Sequence, residues 1–431
     1  MNVTFISLGC AKNLVDSEYI LGLLRQDRDI TIIDDINDSD AIFINTCGFI
    51  NDAKQEAIDT ILELVEYKKQ GKIIIAMGCL VERYLNDLKV EIPEVDYYIP
   101  IKDYPNMHKI FEEITKVKST STFNCAKRVI STSPNHAYLR ISEGCNNRCH
   151  YCAIPLIRGS FISRPFDDII MEAKYLSSKG ITEINVISQD TTRYGSDINS
   201  SLAELLDALA NLNKFKLIRV LYLYPDEITQ ELLDVMKKHD SIANYFDIPI
   251  QHASDKMLSH MNRRGNQELI TSIINNIRSM MSDAIIRTTL IVGFPGEDES
   301  DFNILKDYVS KMHFDRLGVF QYSDEENTVA YDFDDKISDD VKLQRFEEIM
   351  EIQYKVIEDN NKLLLGKTFE ALVDHFDNRM QMFALRSYRE APDEVDGYIY
   401  VKDSLEIGKY YNIEITDYKG YDLFGKIKST N

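Results

Sequence analysis

The run Cys145-Asn146-Asn147-Arg148-Cys149-His150-Tyr151-Cys152 places three cysteines within eight residues, directly after an apolar alternating stretch (137–142) that is typical of a strand. Three thiolates this close indicate one shared metal centre. Soft thiolate ligands select zinc, copper(I) or iron–sulfur clusters. A cluster held by only three cysteines leaves one iron without a protein ligand, and chemistry can take place at that open iron.

A structural zinc ion is the alternative interpretation of this loop, with His150 as the fourth ligand. It requires sequence neighbours, such as Cys149 and His150, to point at the same ion, which adjacent side chains rarely do. The spacing therefore favours a cluster and leaves zinc open.

Length, cysteine count and charge limit the classes of protein to which the chain can belong. A chain of 431 residues predicts two or three domains. No basic leader and no apolar run of about 20 residues is visible, which predicts a cytoplasmic protein without a membrane partner. Seven cysteines fit metal ligands in a reducing compartment better than a disulfide framework. The formal charge of −21 argues against wide binding to nucleic acid and suits a basic partner, although a merely solvated acidic surface is the commoner cause.

Residues 1–118 alternate short apolar runs with amphipathic segments, which predicts an open parallel α/β sheet. Cys10, Cys47 and Cys79 each come one or two residues after a predicted strand. Because parallel strands bring their carboxyl ends to one edge, we expect these cysteines to meet and to hold a second cluster. The alternative is that each is a small buried hydrophobe. Cys125 lies in the Ser/Thr-rich linker 116–134 and is interpreted as an ordinary thiol.

Residues 131–362 contain six strand-like runs that alternate with helical patterns, which predicts a partial (β/α)6 TIM-like barrel. Sites on such barrels lie at the carboxyl ends of the strands. The cysteine loop follows the first strand there, and Gly293-Phe294-Pro295-Gly296-Glu297 follows the fifth. That turn is either a ligand loop or a simple strand-to-helix connection. His252 is interpreted as a satisfied rim histidine without a catalytic role.

Residues 366–431 alternate apolar and polar positions between Gly turns, which predicts a small antiparallel β-barrel. This segment carries nine Lys and Arg against twelve Asp and Glu, a net charge of −3. An acidic barrel is poorly suited to clamp RNA. We expect acidic positions such as Asp393, Glu394 and Asp396 to attract a basic partner instead.

The chain resembles the methylthiotransferase family of radical S-adenosylmethionine (SAM) enzymes over its whole length. That family combines an amino-terminal cluster domain, a partial (β/α) barrel and a carboxyl-terminal TRAM domain. The family commonly has proline where Ala11 stands, which puts nothing catalytic in doubt. The matching stretches are Ser7–Glu18, Asn45–Ile50, Gly78–Leu80, the Cys145–Cys152 loop and Ile291–Glu297.

Within the family, the chain is similar to the RimO-type branch. That branch implies transfer of a methylthio group to the β-carbon of an aspartate of ribosomal protein uS12. The stretches that carry this likeness are Gln189–Gly195, Leu221–Pro225, Asp315–Phe320 and Ala391–Gly397.

The resemblance also implies residue roles. Cys145, Cys149 and Cys152 would hold a [4Fe-4S] cluster that binds and cleaves SAM, with an unidentified electron donor. Tyr151 and the turn Gly293, Phe294, Pro295, Gly296 and Glu297 would contact SAM. Cys10, Cys47 and Cys79 would hold a second [4Fe-4S] cluster, whose sulfur is methylated by a second SAM molecule. No catalytic residue beyond the cluster ligands is assigned.

Two other functions stay open. One is a tRNA adenosine methylthiotransferase of the same family, which a basic TRAM face and specific tRNA binding would favour. The other is a non-enzymatic iron–sulfur RNA-binding protein, which failure of the reduced protein to cleave SAM would favour.

Overall fold

The computed structural model describes residues 1–26, 30–115, 127–132, 135–392 and 396–428. Its amino-terminal unit is a parallel sheet with the strand order β2-β1-β3-β4-β5. The elements are β1 (Asn2–Ser7), α1 (Ala11–Leu24), β2 (Thr31–Ile32), β3 (Ala41–Thr46), α2 (Asn51–Val65), β4 (Ile73–Gly78), α3 (Cys79–Glu91), β5 (Tyr97–Ile99) and α4 (Met107–Thr115).

Strand β3 is the middle of this sheet with β4 beside it, and both strands bury side chains on both faces. One face packs with Leu23 and Phe111 from α1 and α4, and the other with Ile61 and Leu88 from α2 and α3. Helices therefore cover both faces, and the predicted open α/β sheet is confirmed.

The central unit is a curved parallel sheet with the order β6-β9-β10-β11-β12-β13 and helices outside it. The predicted partial (β/α)6 barrel is confirmed. Its elements are β6 (His136–Arg140), β7 (Ser142–Glu143), α5 (Ile154–Arg158), β8 (Ile162–Ser163), α6 (Phe166–Ser178), β9 (Glu183–Ile187), α7 (Leu202–Asn211), β10 (Leu217–Val220), α8 (Gln230–Lys238), β11 (Ile242–Asp247), α9 (Asp255–His260), α10 (Gln267–Met280), β12 (Ile285–Val292), α11 (Glu299–Met312), β13 (Arg316–Gln321) and α12 (Asp339–Lys362).

The carboxyl-terminal unit is a closed barrel with the order β14-β15-β16-β18-β17. Its pairs are antiparallel except β16 with β18, which is parallel. A small β-barrel was predicted here and is confirmed, with that one parallel pair as a difference. Its strands are β14 (Thr368–Asp377), β15 (Met382–Arg386), β16 (Ile399–Val401), β17 (Tyr410–Lys419) and β18 (Asp422–Ile427).

After β15, Ala391 belongs to a buried apolar cluster that also contains Tyr138 and Tyr245 of the central barrel. Asp396 is fully buried and accepts hydrogen bonds from the Tyr245 hydroxyl at 2.5 Å and the Ala391 amide at 2.8 Å. The expectation that Asp396 is a steering charge on the surface is therefore wrong. Asp393 and Glu394 lie outside the described residues, as does Cys125.

No helix in the described part of the chain is long and apolar enough to cross a membrane.

Candidate active site

The three amino-terminal cysteines lie together at one edge of the first sheet. They follow β1, β3 and β4, which are neighbours in that sheet. Cys10 is the N-cap of α1 and is exposed, whereas Cys47 and Cys79 are buried. The strand order brings the three cysteines to one edge of the sheet, as predicted. Their role as cluster ligands stays a prediction.

Glycines allow the three cysteine loops to approach one another. Gly9 has φ +85°, and a Cβ at this position would lie 2.7 Å from the Cβ of Cys47. A Cβ on Gly48 would lie 2.7 Å from the backbone of Leu80, the residue after Cys79. Any larger residue would push the loops apart, so the sequence is built for close packing around the thiols.

The second set of cysteines lies in the irregular loop between β7 and α5. Cys152 and Cys149 are joined by a turn in which the Cys152 amide donates to the Cys149 carbonyl at 3.0 Å. Burial raises the pKa of the Cys145 thiol to about 11 and also raises the pKa of Cys152. Because only the thiolate binds iron, cluster assembly must remove these protons.

The surroundings of His150 bear on the zinc alternative. Its Nδ1 lies 2.8 Å from the carbonyl of His260, and its ring meets Phe333 edge-on. Among the described residues, no three His, Cys, Asp or Glu side chains are arranged to hold one metal ion. Three cysteine thiols are a donor set that a four-iron cluster accepts with one iron left open, and Nδ1 of His150 already has the His260 carbonyl as its partner.

A cavity of about 890 Å³ opens between the amino-terminal sheet and the carboxyl ends of the central strands. This volume lies in the range of sites for small organic cofactors. Tyr151 contributes to its wall from the cysteine loop, and Phe49 contributes from the segment after Cys47. The other lining residues are Ile50, Asn51, Asp52, Gln251, Thr289, Ile291, Val319, Phe320, Gln321, Tyr322, Ser323, Asp324, Glu325, Asp339, Lys342 and Phe346.

The turn Gly293–Glu297 lies behind this wall. Oε2 of Glu297 accepts hydrogen bonds from the amides of Gly293 (2.5 Å) and Phe294 (3.2 Å), and Phe294 packs edge-on against Tyr151. None of the five turn residues lines the 890 Å³ cavity, and Gly296 borders a separate one of about 280 Å³. Contact of this turn with SAM stays a prediction. The structure shows it supporting Tyr151 through Phe294.

His252 is a fully buried residue of the barrel rim whose Nδ1 accepts a hydrogen bond from the Ser254 amide at 2.9 Å. Burial lowers its pKa to about 3, so the ring is neutral. The interpretation of a satisfied histidine therefore holds at Nδ1, whereas Nε2 is buried without a hydrogen-bond partner among the described residues.

The start of α1 joins the two cysteine sets through polar residues that sequence analysis did not single out. The Lys12 ammonium lies 3.0 Å from the ring centre of Tyr222 on the central barrel. Asp16 pairs with Arg140 at 2.5 Å and with Arg158 at 2.7 Å. Burial would raise the pKa of Asp16, but the two guanidinium groups outweigh burial and lower it. In the sequence, the one signal of these contacts is that polar residues occupy every face of the helix that forms α1.

Two residues on the barrel rim adopt left-handed backbone conformations without being glycine. They are Tyr222 (φ +64°) and Gln251 (φ +70°), each just after a central strand. Such conformations cost of the order of 1 kcal/mol or more and cluster at functional sites. Gln251 also lines the large cavity, which places the strain at the candidate site.

Comparison with known proteins gives a match for each of the three units. Residues 2–100 match the Uncharacterized protein family UPF0004, residues 139–309 the Radical SAM superfamily and residues 365–427 the TRAM domain. The chain is 46% identical to Ribosomal protein uS12 methylthiotransferase RimO of Clostridioides difficile, with 99% of both chains covered. It is 43% identical to the protein of that name from Aquifex aeolicus, covering 99% of this chain and 97% of the relative.

The chain belongs to the RimO family of radical SAM methylthiotransferases. Among solved structures, the fold is similar to the radical SAM methyltransferase TsrM of Kitasatospora setae, at a TM-score of 0.57 and 11% identity, covering 74% of this chain and 72% of that one. It is also similar to the radical SAM enzyme OxsB, at a TM-score of 0.53 and 13% identity, covering 81% and 56%. Membership of the RimO family makes an iron–sulfur cluster and SAM the groups to consider at the site described above.

Proposed function

We propose that this chain transfers a methylthio group to the β-carbon of an aspartate of ribosomal protein uS12, using SAM and two [4Fe-4S] clusters. The substrate is proposed from the name of the RimO relatives. The observation that carries the two-cluster proposal is the contact between the cysteine sets, because Cys79 packs directly against Ala153 and Ile157 just after Cys152. A group held at one set is therefore close to the other.

The substrate bond explains why such groups are needed. The β-carbon C–H bond of an aspartate has no useful acidity, so a general base cannot open it. When bound, a cluster and SAM supply the radical chemistry that amino-acid side chains lack. The reducing equivalent comes from a separate electron donor.

The residues of the chain bind the clusters and SAM, orient them and enclose the site. Cys145, Cys149 and Cys152 are proposed to hold the cluster that binds SAM, and Cys10, Cys47 and Cys79 the second cluster. Tyr151 stands in the cavity wall beside the first set, and its ring packs on Phe294. The walls of the cavity come from both domains, so the space beside the first cysteine set is complete only when the domains are docked.

Iron content tests the cluster assignment. Two sites that each suit a four-iron cluster should give about eight irons per chain after anaerobic reconstitution. Replacing Cys145, Cys149 and Cys152 together by Ala should leave about half, and so should replacing Cys10, Cys47 and Cys79. Unchanged iron content in either triple variant, or zinc in its place, would refute the assignment.

An activity assay tests the substrate. The reduced protein is offered a uS12 peptide and tRNA side by side, and the methylthiolated product is identified by mass spectrometry. We expect modification of the peptide alone. Cys47→Ala should still cleave SAM to 5′-deoxyadenosine while losing methylthio transfer. Modified tRNA would favour the tRNA branch of the family, and no SAM cleavage by the intact protein would favour a non-enzymatic role.

A further inference from the structure

Arg158 is a buried arginine that reaches from one cysteine set to the other. It ends α5, six residues after Cys152, yet its Nη2 lies 3.4 Å from Sγ of Cys79. In the described part of the chain, it is the side chain that donates to this sulfur. The sulfur of Cys47 instead faces the backbone amides of Gly48 and Phe49.

The guanidinium of Arg158 is held in place on its other sides. Nη1 donates to Asp16 at 2.7 Å and lies 3.4 Å from Glu143, while Nη2 also donates to Oδ1 of Asn13 at 2.6 Å. The Asn13 amide is oriented in turn, because its Nδ2 donates to the carbonyls of Leu8 and Thr46. Oδ1 of Asn13 also accepts a hydrogen bond from the Cys79 thiol at 3.2 Å. The partner that holds Arg158 independently of the thiol is therefore Asp16.

We propose that Arg158 is a positioning residue that donates a hydrogen bond to the Cys79 thiolate and raises the reduction potential of the cluster held by Cys10, Cys47 and Cys79. This inference rests on the proposed function, because it requires a cluster at these three cysteines. Reduction adds negative charge to a cluster, and a buried cationic donor stabilises that charge. Hydrogen bonds to the sulfurs are a known means by which proteins tune such potentials.

A second consequence concerns the relation between the two cysteine sets. Arg158 belongs to the helix that follows the Cys145–Cys152 loop, whereas Asp16, Asn13 and Cys79 belong to the amino-terminal unit. Arg158 thus sets the reduction potential of the cluster at Cys10, Cys47 and Cys79. It also fixes the position of that cluster beside the Cys145–Cys152 loop.

The first test is pulsed electron paramagnetic resonance on a chain in which Arg158 and Cys79 are both unchanged. The full-length chain with Cys145, Cys149 and Cys152 replaced by Ala is labelled with ¹⁵N-arginine, reconstituted and reduced, so that the remaining signal comes from the amino-terminal cluster. We expect a weak ¹⁵N coupling, since the nearest guanidinium nitrogen lies 3.4 Å from Cys79 Sγ. Absence of any ¹⁵N coupling would overturn the proposal.

Redox titration provides the second test, with Arg140→Gln as the matched control. Arg140 pairs with the same Asp16 and Glu143 but forms no hydrogen bond to a cysteine among the described contacts. Arg158→Gln should make the potential of the amino-terminal cluster more negative, while Arg140→Gln leaves it near the wild-type value. Equal shifts in the two variants, or none, would show that Arg158 serves only the ion-pair network.

The two tests separate this inference from the proposed function. If the triple-Ala chain binds no iron, the two-cluster proposal itself is wrong. If it binds about four irons but shows neither the ¹⁵N coupling nor the selective shift, the cluster stands and the role of Arg158 is wrong. Should Arg158→Gln fail to retain iron, the ¹⁵N measurement on the unsubstituted arginine decides the question.

Discussion

Glu297 is a buried carboxyl group whose two backbone donors and ion-pair partner do not fully offset its loss of water. Its Oε1 lies 3.2 Å from Arg345, and Oε2 accepts from two amides of the turn after β12. Burial nevertheless raises its pKa to about 7, with Arg345 and the Gly293 and Phe294 amides acting in the opposite direction. The group therefore links the stability of this turn to pH.

We predict that Glu297→Gln flattens the pH dependence of stability between about pH 4.5 and 7. The pKa of this carboxyl is higher in the folded than in the unfolded chain, so its stabilising contribution is complete below pH 4.5 and lost as the pH rises to 7. A shift of this size corresponds to at most about 3 kcal/mol. Urea unfolding midpoints of both proteins across this range give the measurement. Parallel pH profiles would contradict the prediction.

Single residues also show where sequence reasoning stops. Cys10, Cys47 and Cys79 could be grouped from sequence because each follows a strand and parallel strands end at one edge. Arg158 could not, because an arginine in a short helix looks the same whether its guanidinium meets water or a thiol. Asp396 was placed wrongly for the same reason, since charge is normally a sign of exposure and its partner Tyr245 is 151 residues away.

Among the elements, α2 and α3 are fastened to the loop after β13 by a buried ion cluster. Glu325 is 1% exposed and forms ion pairs with Arg83 at 2.6 Å and with Lys54 at 2.9 Å. Arg83 also donates to the carbonyls of Gly48, next to Cys47, and of Glu326. This cluster closes one side of the large cavity, which Glu325 lines.

We predict that Arg83→Ala loosens the amino-terminal unit from the central barrel. Removal of one partner leaves Glu325 buried with incomplete compensation, at a cost on the order of 3 kcal/mol. Hydrogen exchange of the α2 and α3 amides should accelerate, and methylthio transfer should fall more than SAM cleavage. Lys355→Ala is the control, since its pair with Glu351 is exposed and contributes at most about 0.5 kcal/mol. Equal exchange in the two variants would show that the cluster does not fasten the units.

The strands show a similar division between what pattern reveals and what packing decides. The run Ile285–Val292, which forms β12, is rich in β-branched residues, and such a run has few interpretations other than a strand. Strand β15 (Met382–Arg386) lacks the apolar–polar alternation of a half-buried strand, so the pattern does not reveal it. The parallel pairing of β16 with β18 depends on closure of the barrel, which no local pattern encodes.

At the scale of the whole molecule, the negative charge is carried in part by acidic groups at the mouth of the cavity. Asp52 and Asp339 both line it and are exposed, and each lies in the first turn of a helix. Lys342 is the one cationic side chain in the described lining, and its amine pairs with Asp339 at 3.0 Å. A basic protein segment approaching the cavity would therefore meet an attractive field.

We predict that Asp52→Asn combined with Asp339→Asn slows association with uS12 and weakens its dependence on salt. Charges at the rim of an interface act mainly on the association rate, and salt screens them over about 10 Å at 0.1 M. Stopped-flow association rates at several salt concentrations give the measurement. The control removes the same charge elsewhere on α12, by Glu347→Gln with Glu351→Gln, neither of which lines the cavity. If the control variant slows association as much, the net charge of the protein rather than the cavity mouth attracts the substrate. If the Asp52 and Asp339 variant instead gains tRNA association together with tRNA methylthiolation, the substrate is RNA.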